Sequence, residues 1–445
     1  MTTATYAARW VLPVDAAPLA DGEVVVEDGL IAAVRPRRAP SGECRDFGEA
    51  VLLPGLVNAH SHLEYTALRG FLEDVPFFPW IRALTAAKAS LDGDDWLWSA
   101  RLGALECLAA GMTTLGDNTD AGVTMRVLAE AGLRGRVYQE LFGIDDRDPV
   151  GPILDALRAK VAAHQQLASA RVGVGVSPHA LYTIRPALFE AVNAYAAAAG
   201  LPTSIHVAES GAESALTERG EGPFAEMYAR RGITWEAPRA TPTEYAARLG
   251  ALGPHALAVH CVHQTGADIA RTASAGAAII HCPKSNAKLG AGVAPLARWL
   301  RTPSLRVGLG TDSAVSNNAL DLFAERRFAL LTQRAVREEV EAVTARDVVR
   351  LATLGGAEAM GLAAQTGSLT PGKRADLITV RLDRPHAVPA TDPYAALVYA
   401  ARADDVRLTV CDGRVLYDDG AWPTLDAGAI LAGARAARAK LGQGS

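Results

Sequence analysis

Eight short apolar runs, each followed by a longer segment rich in Ala, Leu and Arg, constrain this chain more than any other feature of it. They are VLLPGLVNAH, MTTLGDN, RVYQELFG, VGVGVSPH, TSIHVAE, ALAVHCV, AAIIHCP and RVGLGTDS, and all fall between residues 51 and 313. Apolar residues stand side by side in them instead of alternating with polar ones, so the runs read as strands buried on both faces. Strands of that kind pair in parallel and need a crossover helix between each two. Eight strand-plus-helix repeats are the arithmetic of a TIM (β/α)8 barrel, an α/β fold.

The two ends of the chain have a different texture. In the first fifty residues Asp28-Gly29 separates two Val/Ile-rich runs in the manner of a hairpin. After residue 366 the same pattern returns, with Asp412-Gly413 as a second hairpin turn. We therefore expect a barrel over residues 51–365 and a small β-sandwich domain built from residues 1–50 and 366–445. A length of 445 residues suits two domains, and a hydrophobic share of 49% supplies their cores.

Charge narrows the partners. Lys and Arg total 44 against 49 Asp and Glu, a net charge of −5, with no long block of one sign. That balance argues against a nucleic-acid surface or an anionic membrane and leaves a small molecule as the expected partner. The five cysteines are odd in number and form no C-x-x-C pair, so neither a disulfide framework nor a thiolate zinc site is suggested. Reduced thiols, no signal-like start and no apolar run of membrane-spanning length together predict a cytoplasmic location.

Polar residues close the apolar runs. His60 and His62, Asp117, His179, His206 with Glu209, His260, His281 and Asp312 all stand at or just past their C-terminal ends. In a TIM barrel those ends converge on the face that carries chemistry. Strand alternation points His60 and His62 to one side, where they can share a cation; His206 adds a third imidazole and Asp312 a carboxylate. Three histidines and one aspartate suit one divalent ion, Zn²⁺ first and Fe²⁺ as the alternative, with a position open to water. Glu209, three residues past His206, is placed to carry a proton, and His260 to bond the attacking water. His263 reads as a supporting or surface residue.

At these residues the chain resembles the amidohydrolase superfamily, in the branch of metal-dependent aminohydrolases. The resemblance rests on LLPGLVNAHSHLEYTALRG, IHVAES, VHCVH, IIHCPKSNAKLG, GLGTDSAVSNNALDLFAERRFA and GSLTPGKRADLITV. It implies His60, His62, His206 and Asp312 as metal ligands, Glu209 as proton shuttle, and His260 with Asp312 as the groups that handle the water. Binuclear members need a lysine at the end of strand four; here that strand ends Ser177-Pro178-His179, which implies one metal and frees His179 for substrate. The implied reaction is hydrolytic deamination of an amino-substituted aromatic N-heterocycle of purine nucleoside type, with release of ammonia. Hydrolysis of a chlorotriazine or a cyclic amide on the same site is one alternative, and a non-catalytic scaffold another. The family expectation for assembly is a homodimer.

Specificity is expected from the loops. Phe77, Phe78 and Trp80 offer walls for a planar base, and Ser316 a further substrate contact. No carboxylate occurs between Asp74 and Asp92, where S-adenosylhomocysteine deaminases of this branch carry an acidic residue for ribose hydroxyls. That lack predicts poor use of S-adenosylhomocysteine and methylthioadenosine and better use of a compound bearing a carboxylate or an extended aromatic tail, such as aminodeoxyfutalosine, unless Glu64 or Glu140 holds the ribose. Arg82 and Lys88 read first as solvated helix charges and otherwise as partners for a substrate carboxylate.

Overall fold

Pro54-Gly55 cuts the first apolar run in two. In the computed structural model, which describes residues 3–38 and 44–441, one strand ends at Pro54 and the next begins at Leu56. Proline has no N–H to extend a ladder, and a Cβ at Gly55 would lie 2.2 Å from the Thr113 side chain. Here the chain leaves one sheet and enters another.

Before the cut stand β1 (Thr3–Val11), β2 (Leu19–Glu27), β3 (Leu30–Pro36), β4 (Cys44–Asp46) and β5 (Ala50–Pro54). After it come β6 (Leu56–His62), β7 (Met112–Thr119), β8 (Arg134–Leu141), β9 (Val172–Pro178), β10 (Thr203–Val207), β11 (Ala256–His260), β12 (Ala278–His281), β13 (Arg306–Leu309) and β14 (Asp312–Ser313). Two helices, α1 (Phe77–Lys88) and α2 (Gly93–Ala109), lie between β6 and β7. The chain closes with β15 (Leu377–Arg381), β16 (Val406–Cys411) and β17 (Arg414–Asp418).

β6 to β13 pair in parallel in chain order, and β14 pairs with β6, setting Asp312 opposite Ser61 and Ser313 opposite His62. The eighth expected run is thus one stave interrupted at Gly310-Thr311. Gly310 N bonds the His281 carbonyl at 2.9 Å and Thr311 N the His60 carbonyl at 3.0 Å, so the interruption bridges β12 to β6 and closes the barrel. A Cβ at Gly310 would sit 2.8 Å from that of His60, which is why glycine stands there. The result is a TIM barrel whose first and last staves meet at the histidine pair.

The terminal strands form one sheet in the order β17-β16-β15-β5-β1-β2-β3, with β4 beside β1. Both Asp-Gly turns are two-residue hairpin loops, closed by the pairs Glu27–Leu30 and Cys411–Arg414 and with positive φ at both central residues. Although β2-β3 and β16-β17 stand at opposite ends of the strand order, their turns touch. A Cβ at Gly29 would lie 2.7 Å from Asp412 O, and one at Gly413 2.7 Å from Gly29 Cα. The sheet therefore folds over itself as a sandwich around Val24, Val26, Ile31, Leu377, Leu408 and Val410. Arg134, 1% exposed at the start of β8, ties barrel to sandwich through 2.7 Å bonds to Asp376 and Asp412.

Two boundaries differ from expectation. Residues 51–54, expected in the barrel, belong to the terminal sheet, and its C-terminal share stops before Ala427–Lys440, which is helical. That segment is Ala-rich and free of Pro, Asn and Asp, so it favours helix despite Gly428 and Gly433. It packs on α2, with Gly433 against the Trp98 ring and Lys440 Nζ 2.6 Å from Asp95 Oδ2. Residues 1–2, 39–43 and 442–445 of the expected sandwich lie outside the described residues.

Candidate active site

Alternation along the buried strand β6 turns Ser61 away from its two histidine neighbours. Ser61 Oγ and Leu63 N each donate to Asp117 Oδ1 at 2.8 Å, so Asp117 holds a side chain on one side of His62 and the backbone on the other, and does not line the cavity. His60 and His62 then face His206 from β10 and Asp312 from β14. His60 Nε2 lies 3.3 Å from His206 Nε2 and 3.7 Å from Asp312 Oδ1, and His62 Nε2 lies 3.6 Å from the same oxygen.

These separations match the edge of about 3.4 Å expected for a tetrahedron of ligands about 2.1 Å from a shared ion. The protonation states agree. His206 Nδ1 donates to the His179 carbonyl at 2.8 Å, and a carbonyl only accepts, so the proton is on Nδ1 and Nε2 offers its lone pair. Burial pushes the pKa of His60, His62 and His206 down, which keeps the imidazoles neutral, as ligands must be. Burial alone would raise Asp312, but its contact with His60 and the nearby His260 and His62 together outweigh this and hold the carboxyl well below the ordinary range. Three neutral imidazoles and one carboxylate converging in this way fit a divalent cation. The stave that would carry a bridging lysine ends Ser177-Pro178, followed by His179, as read from the sequence.

Glu209 and His260 stand beside this donor set. Glu209 is buried, which raises its pKa, and Oε1 lies 3.7 Å from His260 Nε2. Tyr182 OH donates to Oε2 at 3.4 Å, while Glu213 accepts from Glu209 N at 2.9 Å and pins the backbone. His260 Nδ1 meets Asn286 Oδ1 at 2.8 Å. Ala208, His260, Cys261 and Asp312 all take positive φ, from 51 to 73°, a conformation that costs non-glycine residues about 1–2 kcal/mol each. Their gathering at three stave ends is the pattern of strain held at a working site.

The donor set opens into a cavity of about 920 Å³. His179, Trp80 and Ser316 all line it, with different freedom to bind. His179 Nδ1 bonds Thr183 Oγ1 at 3.0 Å, and burial lowers its pKa to about 3, so a neutral ring faces the cavity. Trp80 sits on α1 with Phe77 and Phe78, and Phe224 packs on Phe78 from across the cavity at 4.8 Å. The Ser316 hydroxyl is already engaged, donating to Asp312 Oδ2 at 2.9 Å, so it supports that carboxylate.

Not every polar residue near the stave ends turns into the cavity. His281 turns off the cavity, edge-on to Trp299 at 5.5 Å, because its place in β12 points it to the helical layer. His263 is exposed and bonds the Ala291 carbonyl. Arg82 and Lys88 reach the cavity wall, and Lys88 is held by Tyr65 OH and Asp120 at 2.8 Å each. Glu64 is spent on Thr119 and the backbone of residues 120–121, whereas Glu140 lines the cavity. The cavity thus has the carboxylate that the first loop lacks, and that lack no longer excludes a ribose. Sequence reasoning did not single out Tyr182, Glu213, Ser285 or Asn286. The last two stood in the quoted run IIHCPKSNAKLG; nothing in the periodicity around Tyr182 marks it.

A TIM barrel whose strand ends gather a three-histidine, one-aspartate donor set and a Glu–His pair defines a metal-dependent hydrolase. The model of the amidohydrolase family matches residues 51–416, and the chain belongs to that family, hydrolases of carbon–nitrogen bonds. It is 35% identical over 431 residues to a 5-methylthioadenosine/S-adenosylhomocysteine deaminase of Moorella thermoacetica, covering 95% of this chain and 96% of that one. A 5'-deoxyadenosine deaminase of Methanothermobacter thermautotrophicus is also 35% identical over 431 residues, covering 96% of each. Among solved structures, an adenosine deaminase from Xanthomonas campestris with bound zinc superposes with a TM-score of 0.88 at 30% identity, over 99% of this chain and 98% of that one. No helix among the described residues is long and apolar enough to cross a membrane.

Proposed function

We propose that this protein is a hydrolytic deaminase of a 6-aminopurine nucleoside, with one divalent cation held by His60, His62, His206 and Asp312. The carrying observation is the placement of Glu209 and His260, 3.7 Å apart, beside that donor set and at the inner end of an aromatic-walled cavity. The names of the most similar relatives reported above support the purine nucleoside. When bound, the cation supplies a Lewis acid that brings the acidity of water into the neutral range. Zn²⁺ is the proposed ion, in keeping with the Xanthomonas structure; the same donors accept Fe²⁺.

Glu209 takes a proton from the attacking water and delivers it to the ring nitrogen beside the amino-bearing carbon, which makes that carbon electrophilic. Its raised pKa brings it nearer the working pH, where a group that both accepts and returns a proton is most effective. His260 Nε2 accepts a hydrogen bond from the water and orients it. Asp312 takes the remaining proton and passes it to the departing amino group, so water and substrate give the 6-oxo product and ammonia. Phe77, Phe78 and Trp80 clasp the planar base and exclude bulk water. Five free cysteines, four of them buried, suit a reducing cytoplasm.

The test is ammonia release by zinc-loaded protein from a panel of 6-aminopurine nucleosides, with a chlorotriazine for comparison. One ammonia per 6-oxo product is expected. Chloride release from the triazine with no ammonia from any nucleoside would overturn the proposal.

A further inference from the structure

The short helix Pro283–Lys288 that makes the turn after β12 carries none of the roles assigned so far, yet two consecutive side chains leave it for the site. Asn286, 1% exposed, places Oδ1 2.8 Å from His260 Nδ1. Ser285, fully buried, donates to Asp312 Oδ2 at 2.5 Å, with Ser316 Oγ 3.0 Å from its own Oγ. The turn itself is fixed: Pro283 opens it, Asn286 N bonds the Cys282 carbonyl at 3.0 Å, and Lys284 N bonds Glu325 Oε2 at 3.1 Å. One short element thus holds side chains from β11 and β14.

The chemistry of each contact has a consequence. A carboxamide oxygen accepts only, so the proton of neutral His260 must lie on Nδ1, and Nε2, the nitrogen facing Glu209, is left with its lone pair. The rings of His206 and His60, 5.5 and 6.0 Å from that of His260, make no hydrogen bond to it that would set the tautomer otherwise. On Asp312, Ser285 and Ser316 occupy Oδ2, while Oδ1, which accepts from Ser313 N at 2.7 Å, faces the Nε2 atoms of His60 and His62.

We propose that Ser285 and Asn286 are the positioning pair of this site: Asn286 fixes the tautomer of His260 so that Nε2 accepts from the attacking water, and Ser285 fixes which oxygen of Asp312 faces the reaction. The kinetic part rests on the deaminase reading; the tautomer does not. Asn286 Nδ2 has no hydrogen-bond partner among the described residues, so the opposite amide orientation, which would place an N–H against Nδ1 and the His260 proton on Nε2, is the alternative to defeat.

Zinc-loaded protein carrying ¹⁵N-histidine, with His260 assigned by loss of its signals in His260→Asn, reads the tautomer directly. Wild type is expected to show Nδ1 protonated and Nε2 bare. Asn286→Leu should lose that preference, and Asn286→Asp, whose carboxylate accepts, should keep Nδ1 protonated. In kinetics Asn286→Leu should lower kcat by roughly 10- to 100-fold with KM little changed, the usual cost of removing a group that orients a site residue. Asn286→Asp should recover part of it. In a His260→Asn background Asn286→Leu should cost nothing further, whereas Ser285→Ala, acting through Asp312, should keep its full cost. A bare Nδ1 in wild type, an unchanged tautomer in Asn286→Leu, or a leucine cost undiminished without His260 would each overturn the role of Asn286; loss of the Ser285→Ala cost without His260 would overturn that of Ser285. Absence of turnover in wild type would count against the deaminase reading alone, with the tautomer still decisive.

Discussion

Glu209 and His206 are three residues apart in sequence, and the proposed reaction gives them different work that substitution separates. Glu209→Gln keeps the shape of a group that ligates nothing, so metal content should stay at wild-type level while turnover falls by about 10²-fold or more. His206→Ala removes one of four donors, and metal and activity should go together. Elemental analysis beside kcat distinguishes the two, and a Glu209→Gln protein of near-normal rate would remove Glu209 from the mechanism. Glu213, behind Glu209, gives a prediction in pH. Burial pushes its carboxyl up to about 8, against about 4.3 in an unfolded chain. Its contribution to stability is therefore complete below pH 4 and is lost as pH rises through 8. Denaturant midpoints should fall between pH 6 and pH 9 in wild type and fall less in Glu213→Gln, whose amide oxygen still accepts from Glu209 N; parallel declines would contradict this.

Among the elements, the join between barrel and sandwich rests on Arg134, whose guanidinium is buried against Asp376 and Asp412. Arg134→Met should cost about 3–5 kcal/mol in equilibrium unfolding, because the fully buried Asp376 loses the charge that compensates it, while Asp412 keeps Arg171 and Arg374 nearby. A loss below about 1 kcal/mol would show that water reaches the pair. The staves were legible in sequence because doubly buried strands leave unbroken apolar runs, and the stave ends because polar residues there have few structural reasons to exist. The cut at Pro54-Gly55 was less so: the apolar run continues across it, and the close approach of Thr113 at Gly55 comes from another stave. The helix at Ala427–Lys440 was hidden among β signals, since its burial depends on α2, which is remote in sequence. Cavity contacts were least legible. Whether Lys88 faces solvent or Tyr65, and whether Glu64 or Glu140 is free, depends on side-chain packing that periodicity does not record.

For the molecule as a whole, barrel closure and metal binding are joined, because β6 and β14 meet where three of the four proposed ligands stand. An ion that binds only the folded chain adds about 2.7 kcal/mol when its free concentration is 100 times Kd, so chelation should lower the melting temperature and zinc restore it. The single-ion reading of the donor set is also the claim on which the proposed deamination rests. It is tested most directly by adding zinc stepwise to metal-free protein and following ammonia release from a 6-aminopurine nucleoside. The account predicts activity that rises linearly and breaks at about one equivalent per chain. A break at two equivalents, or full turnover before any zinc is added, would contradict it.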